Sequence, residues 1–448
     1  MTTKTDSATT ISGASIPVAE GNIDIDTDKA SFDFLGEALA QHANILQVNS
    51  STRNAPSIIV NHPDYIKHIL VKNNQNYVKG LGFKRVKMLL GNGIIVSDGP
   101  FWRKQRRMIQ PAFSKAMIAD MLDVMVTANR DLLTQWQNDT ASSPKRFEAT
   151  LTASELALEI VIRVLFSDDL DWMIEETGAN PFAFLTDDLS RDIKTVLKFR
   201  EVMKLINVVI QRRRETKCRY TDFVDVFMYA QDKDSGEAMT DEALMDEIMT
   251  LIIAGHETSA VTLQWMWFFI SQNPEVEKNL LASLSQAGIS KTDTIAAPDF
   301  AQLEQLGYIR QIMDEALRIY PPVWMFSRRA LKEDKLGPYS IEAGADIFIA
   351  PYYLHRHPDY WSEPEHFNPE RFNDEAQQGQ HKFSFIPFSA GPRRCIGDYF
   401  ASVEMQVHFA MMATHFKLAC EPDLPIKLDP SINLRPADPL YMSVSARK

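Results

Sequence analysis

The stretch FSAGPRRCIGDYFA, residues 388–401, sets a cysteine between a Gly-Pro-Arg-Arg turn and the start of a predicted helix. A structural cysteine ordinarily sits inside an element as a small apolar side chain. Cys395 sits where the backbone turns, just ahead of a helical pattern running from Asp398 to Phe416. Free N–H groups and the dipole at such a helix start favour a thiolate and lower the thiol pKa. Gly391 and Gly397 allow a tight fold around the sulfur and the close approach of a flat group. Anionic sulfur in that setting suits an axial ligand to haem iron, whose electron donation favours O–O cleavage. Arg393 adds a planar fork matched to a carboxylate such as a haem propionate.

The whole chain bounds what surrounds this loop. It has 448 residues, 45% apolar and 24% charged, enough for a large core and, by length alone, for two or three domains. Cys218, Cys395 and Cys420 form an odd, sparse set. That count argues against a disulfide framework and for a reducing compartment, here the cytoplasm, and excludes a cluster held by four cysteines of this chain. With 47 Lys and Arg against 59 Asp and Glu, the net charge is −12. The basic footprint of a nucleic-acid binder is missing. No basic segment leads into an apolar run at the N-terminus, and no run of about 18 apolar residues occurs, so neither a signal peptide nor a membrane span is expected. Residues 1–30 are polar and read as a flexible tail, with residues 31–448 as a single unit.

Long amphipathic helices dominate the pattern, at Ser154–Phe166, Glu275–Leu284 and Glu304–Tyr320, the last stopped by Pro321-Pro322. Strand-like runs occur at Ser57–Val60, Asp346–Tyr353 and Tyr441–Ala446. The expected fold is mainly α with small β-sheets. One helix stands apart: from an N-cap at Thr240 it runs to about Ser271, roughly 45 Å, and Val261–Ile270 is apolar nearly all round, as in a helix buried on every side. In its middle stands Ala254-Gly255-His256-Glu257-Thr258-Ser259. A helical glycine and a carboxylate at such depth break local rules, as functional sites do. The alternative is a back-bonded kink with Glu257 at the surface.

Together these motifs resemble the cytochrome P-450 superfamily. Phe388-x-x-Gly391-x-Arg393-x-Cys395-x-Gly397 matches its haem-binding loop at every defined position. Ala254–Ser259 matches the oxygen-binding groove of its long central helix, and Glu315-x-x-Arg318 its Glu-x-x-Arg motif. Pro369-Glu-Arg371-Phe372 matches the segment that gives that pair a second arginine, and Trp102-x-x-x-Arg106 a helix covering the haem. The likeness runs from about Asp64 to the C-terminus and implies one haem domain, with a long central helix over a buried haem b (iron protoporphyrin IX) bound by Cys395.

The resemblance implies roles for other residues. Glu315, Arg318 and Arg371 would form a buried charge network. Trp102, Arg106, Arg393 and Arg328, with Arg329 next to it, would face the propionates. Glu257 and Thr258 would relay, through water, the two protons that O2 reduction consumes, with Ala254 and Gly255 opening the groove. His256 reads as structural or surface-facing, and His355 and His357 as structural. The pocket would take in Phe83, Ile94, Ile95, Val96, Ile253, Ala254, Val323, Trp324, Met325, Phe326 and Leu440, an apolar set. It suits a fatty acid, terpenoid, steroid or related lipophile, and the motif style is closer to the fatty-acid hydroxylase branch than to camphor-type members.

The implied reaction is monooxygenation of that molecule. No flavin or nicotinamide motif is present, so NAD(P)H electrons would arrive through a ferredoxin or flavodoxin-type donor and its reductase. Arg103, Lys104, Arg107 and Arg394 would form a basic docking face on a monomer, the alternative being a merely solvated charged face. A peroxide-driven peroxygenase or decarboxylase would keep Cys395 but commonly replaces the acid–alcohol pair. A non-catalytic haem or binding module on this fold would be expected to lose the cysteine or the groove.

Overall fold

The computed structural model describes residues 14–53, 55–186, 193–216, 221–292, 294–420 and 426–447. The central helix spans Asp241–Gln272, capped by Thr240, whose hydroxyl accepts the Ala243 N–H at 3.2 Å. Asn273 ends it, and Pro274 at once opens the next helix, Pro274–Gln286, at the position where its fixed φ suits a first turn. From Ser259 to Trp267 every side chain of the central helix is buried. Its main neighbour is the Ala149–Phe166 helix, against which Gly255 is pressed: a Cβ there would lie 2.9 Å from Val161 Cγ2.

The expected helices are found with shifted ends. Ser154–Phe166 lies within Ala149–Phe166, and Glu275–Leu284 within Pro274–Gln286. The pattern Glu304–Tyr320 divides into Phe300–Glu304 and Gly307–Ile319. The helix after Cys395 covers Asp398–Met412, shorter than the pattern suggested, because Phe416 already belongs to a strand.

Strands are short: β1 (Val18–Asn22), β2 (Ile45–Asn49), β3 (Ser57–Val60), β4 (Tyr77–Lys79), β5 (Lys145–Glu148), β6 (Phe326–Ala330), β7 (Asp334–Leu336), β8 (Tyr339–Ile341), β9 (Asp346–Ile349), β10 (Phe416–Cys420), β11 (Leu428–Asp429), β12 (Arg435–Pro436) and β13 (Tyr441–Ala446). Six make one sheet in the order β1-β2-β3-β9-β6-β4, while β10, β13 and β5 make a second. The apolar run Asp346–Tyr353 stays extended only to Ile349, since Pro351 opens a helical turn. Alternation along the large sheet serves two cores. Ile58, Val60, Ile347 and Ile349 pack on one face, and Ile59 and Phe348 on the other with Phe32 and Trp324. A third, larger core surrounds the central helix.

Of the expected tail, residues 1–13 lie outside the described residues. The remainder is built into the fold: β1 pairs in parallel with β2, and a helix follows at Lys29–Gln41. Cys218 also lies outside the described residues. Among those described, no helix is long and apolar enough to cross a membrane.

Candidate functional site

Gly391 shapes the cysteine loop. Its φ is +70°, and a Cβ there would fall 2.0 Å from the Leu70 carbonyl oxygen, so only glycine fits. The Cys395 N–H donates to the Phe388 carbonyl at 2.9 Å, closing the turn ahead of the Asp398–Met412 helix. Cys395 is enclosed by protein yet keeps exposed surface, the signature of a group facing an interior space. Burial pushes its thiol pKa up, against the Gly397 N–H and the charges of Arg106 and Arg394. The lowering expected from the helix start is therefore overcome by desolvation. A bound cation would reverse that balance, because a coordinated thiol is deprotonated outright. Gly397 meets no protein atom nearer than Phe113 Cε1 at 3.7 Å, so its missing side chain is not demanded by the protein itself.

Beside the loop lies a cavity of about 300 Å³ lined by Leu70, Tyr77, Asp98, Trp102, Arg328 and Arg393. Alternation along β6 separates two arginines. Arg329 grips Asp346 through two bonds of 2.9 and 2.8 Å, whereas Arg328 is buried, giving one bond to the Ser327 carbonyl at 2.8 Å. Burial, reinforced by Arg393, brings the Arg328 pKa down to about 10. Lys79 is pushed well below its ordinary value by burial and by the same two arginines. Arg393 lies over the Trp102 ring at 4.2 Å, donates to the Ser97 carbonyl at 3.0 Å and pairs with Asp98. Arg106 donates to the Arg394 carbonyl at 3.0 Å and acts electrostatically on Cys395.

Among the described residues lining this cavity, two arginines, Arg328 and Arg393, thus face one carboxylate, Asp98, beside a third basic group, Lys79, and next to Arg103. The surplus fits a ligand with two carboxylates, and with the enclosed thiol the donor set fits haem b. Cys395 would hold the iron through its thiolate, and Arg328 and Arg393 would meet the propionates. Bound there, haem supplies the reduction of O2 and the insertion of oxygen.

On the central helix, Ile253, Ala254, Gly255, Glu257 and Thr258 keep open surface within a stretch, Glu247–Trp267, that is otherwise buried. The Thr258 hydroxyl donates to the Ala254 carbonyl at 2.6 Å and the helix is continuous, so no carbonyl is freed there. Glu257 is mostly buried. Asn433 bonds to it and Arg435 lies at 3.9 Å, while burial pushes its carboxyl pKa up against both. His256 is buried, its Nε2 bonded to Ser154 Oγ at 2.8 Å, and burial lowers its pKa to about 4, which makes it structural. Ser259 turns the other way and donates to Glu404 Oε2 at 2.6 Å on the Asp398–Met412 helix.

The structure brings Glu315, Arg318 and Arg371 together. Arg318 forks onto Glu315 at 2.7 and 2.9 Å, both fully buried, and Arg371 Nε reaches Glu315 Oε1 at 3.3 Å. Arg318 also donates to the carbonyls of His355 (3.1 Å) and Pro364 (2.7 Å), and the Asn368 N–H donates to Glu315 at 2.8 Å. An arginine 53 residues downstream of Arg318 is thereby tied to the loop that leads toward Cys395.

The pocket set is divided. Ile94 and Val96 are buried, while Phe83 and Ile95 are half-buried. Leu440 is buried and its carbonyl accepts the Ala149 N–H. Phe326 opens β6, with the Arg328 guanidinium 5.0 Å from its ring. Val323 is 41% exposed. Trp324 and Met325 instead pack the core beside Phe32, where the Trp324 indole donates to the Pro430 carbonyl at 2.8 Å. Apolar character alone did not separate a lining residue from a core residue.

The basic face is also partly neutralised. Lys104 pairs with Glu237 (2.5 Å), Arg107 with Asp232 and Asp234 (2.8 Å each), and Arg394 with Asp398 (2.7 Å). Arg103 is exposed and, among the described residues, forms no ion pair. Lys79, Asp98, Asn433 and Arg435 were missed from sequence. Asp98 had a signal in its place beside the Trp102 motif; the others acquire meaning only through distant neighbours.

The Cytochrome P450 family model matches residues 44–443. The Cyclooctatin synthase of Streptomyces melanosporofaciens is 30% identical, over 90% of this chain and 89% of its own. The chloroplastic Carotene epsilon-monooxygenase of Arabidopsis thaliana is 26% identical, over 96% of this chain and 86% of its own. The crystal structure of the cytochrome P450DA heme domain has the same fold, with a TM-score of 0.84 at 22% identity, covering 97% of this chain and 98% of that one. Since the family match runs through the whole framework from β2 into β13, the chain belongs to the cytochrome P450 family and is a haem-thiolate monooxygenase.

Proposed function

We propose that the chain oxidises an isoprenoid-type lipophile held between the Cys395 loop and the middle of the central helix. The observation that carries this reading is the open surface at Ile253, Ala254 and Thr258 in the middle of the central helix, between buried stretches at Glu247–Ile252 and Ser259–Trp267. An interior wall of that composition suits a hydrocarbon substrate and holds few groups to anchor a carboxylate. The names of two relatives, a Cyclooctatin synthase and a Carotene epsilon-monooxygenase, point the same way. Glu257, raised toward neutrality by burial, and the Thr258 hydroxyl would hold and pass the protons that O2 reduction consumes. Arg328 and Arg393 would orient the cofactor, and Glu315, Arg318 and Arg371 would brace the loop behind it.

Electrons would come from NAD(P)H through a separate ferredoxin or flavodoxin-type donor, docking on the Arg103 face of a monomer. The sparse cysteines suit a reducing compartment such as the cytoplasm.

The test is spectroscopic. The reduced carbon monoxide complex should show a strongly red-shifted Soret band that Cys395→Ser loses. Cyclic and polyene isoprenoids should shift the resting haem from low to high spin, and long-chain fatty acids should do so far less. Fatty acids alone giving the shift would overturn the substrate assignment. A Cys395→Ser protein that kept the red-shifted band would overturn the ligand assignment.

A further inference from the structure

The central helix meets the substrate-side loop through an acidic pair remote from Glu257. Asp246 Oδ2 accepts the Asn92 N–H at 2.7 Å, and Glu247 Oε2 accepts the Ile94 N–H at 3.0 Å. The loop backbone is moulded to the helix. A Cβ at Gly91 would lie 1.9 Å from Asp246 Oδ1, and one at Gly93 would lie 2.1 Å from Thr250 Oγ1. Glu247's other oxygen accepts from Gln105 Nε2 at 3.3 Å, on the Gly99–Ile109 helix that carries Trp102 and Arg106. Beyond the clasp, the N–H groups of Val96 and Ser97 both donate to the Gly93 carbonyl, and the Ser97 carbonyl accepts from Arg393. Ile95 therefore stands on a short span fixed at one end to the central helix and at the other to the cofactor-side arginine.

We propose that Glu247, with Asp246 beside it, is a positioning residue for substrate selection: by docking residues 92–94 on the central helix it sets where Ile95 and Val96 stand. The proposal rests on the reading that this loop lines the substrate pocket. Glu247 is fully buried and titrates at about 7, raised by burial against its two hydrogen bonds. A carboxyl held at such cost is satisfied only while loop and helix stay docked. Removing it leaves the Ile94 N–H and the Gln105 amide without their acceptor, and the loop is then free to seek water.

The experiment uses the haem-loaded enzyme with Glu247→Ala and Glu247→Gln. One readout is amide hydrogen exchange over residues 92–97. The other is the ratio of affinities for 4-phenylimidazole and imidazole, taken from the Soret shift. Neither probe depends on the natural substrate, so a failed isoprenoid assignment leaves both readable. Glu247→Ala should speed exchange about tenfold or more, and it should lower the preference for the larger imidazole by about threefold or more. Glu247→Gln should keep both near the wild-type values, because an amide oxygen still accepts the Ile94 N–H while Gln105 turns its own oxygen to the new NH2. Unchanged exchange in Glu247→Ala overturns the clasp. Faster exchange with an unchanged affinity ratio overturns its role in selection. Should Glu247→Ala fail to load haem, Gly93→Ala tests the same docking from the loop side. It must then reproduce both changes, and wild-type values in it overturn the proposal.

Discussion

Glu404 illustrates what a single buried side chain implies. It is enclosed on the Asp398–Met412 helix, where it accepts a hydrogen bond from Ser259, and burial pushes its carboxyl up to about 8. The folded value lies above the ordinary 4.5, so folding favours the protonated form. Its stabilising contribution is complete below about pH 4.5 and is lost as pH rises through about 8. Glu404→Gln keeps the shape but cannot ionise. Thermal unfolding from pH 5 to 9 should therefore show wild-type stability falling relative to the variant at the alkaline end; parallel curves would mean the carboxyl is charged throughout. This residue was not legible in the sequence, since a Glu among apolar helix residues looks the same whether it faces water or Ser259. Cys395, Glu315 and Arg318 were legible because their meaning is carried by neighbours within a few positions. Arg328 was legible only to within one residue, and the alternation of β6 settled which of the pair turns inward.

At the scale of elements, the central helix was readable almost to its ends, because Thr240 and Asn273-Pro274 are local signals and the apolar run between them is long. Its internal glycine was read as opening a groove. The packing gives it another task, close contact with the Ala149–Phe166 helix at Val161. Gly255→Ala gains up to about 1 kcal/mol of helix propensity. It forces a methyl against Val161, an overpacking that costs about 1–3 kcal/mol. The net change should be destabilising. A double-mutant cycle with Val161→Ala, followed by chemical denaturation, should give a favourable coupling of about 1 kcal/mol. Additive values would show that the helices separate freely. The short strands were less legible. In β1, VAEGN, only Ala19 is buried, so no apolar alternation marks it as a strand, and two- or three-residue strands carry no period to read.

For the molecule as a whole, a net charge of −12 hides a local basic face, and that face is weaker than the sequence suggests. Lys104 and Arg107 must each leave a carboxylate before meeting a partner, whereas Arg103 need not. With an acidic ferredoxin at low ionic strength, Arg103→Ala should weaken docking about three- to tenfold and Arg107→Ala less, measured as the dependence of reduction rate on donor concentration. Equal effects would mean that only the summed field matters.

The large sheet has a further bearing on how the chain reaches this form. β3 at residues 57–60 is flanked by β2 and by β9 at residues 346–349, so its second edge has no partner until most of the polypeptide has been synthesised. During translation, Ser57–Val60 is an apolar strand with a bare edge, open to pairing with other nascent chains. Closing such a long-range pair is slow, so the yield of native protein should respond to chaperone supply and translation rate.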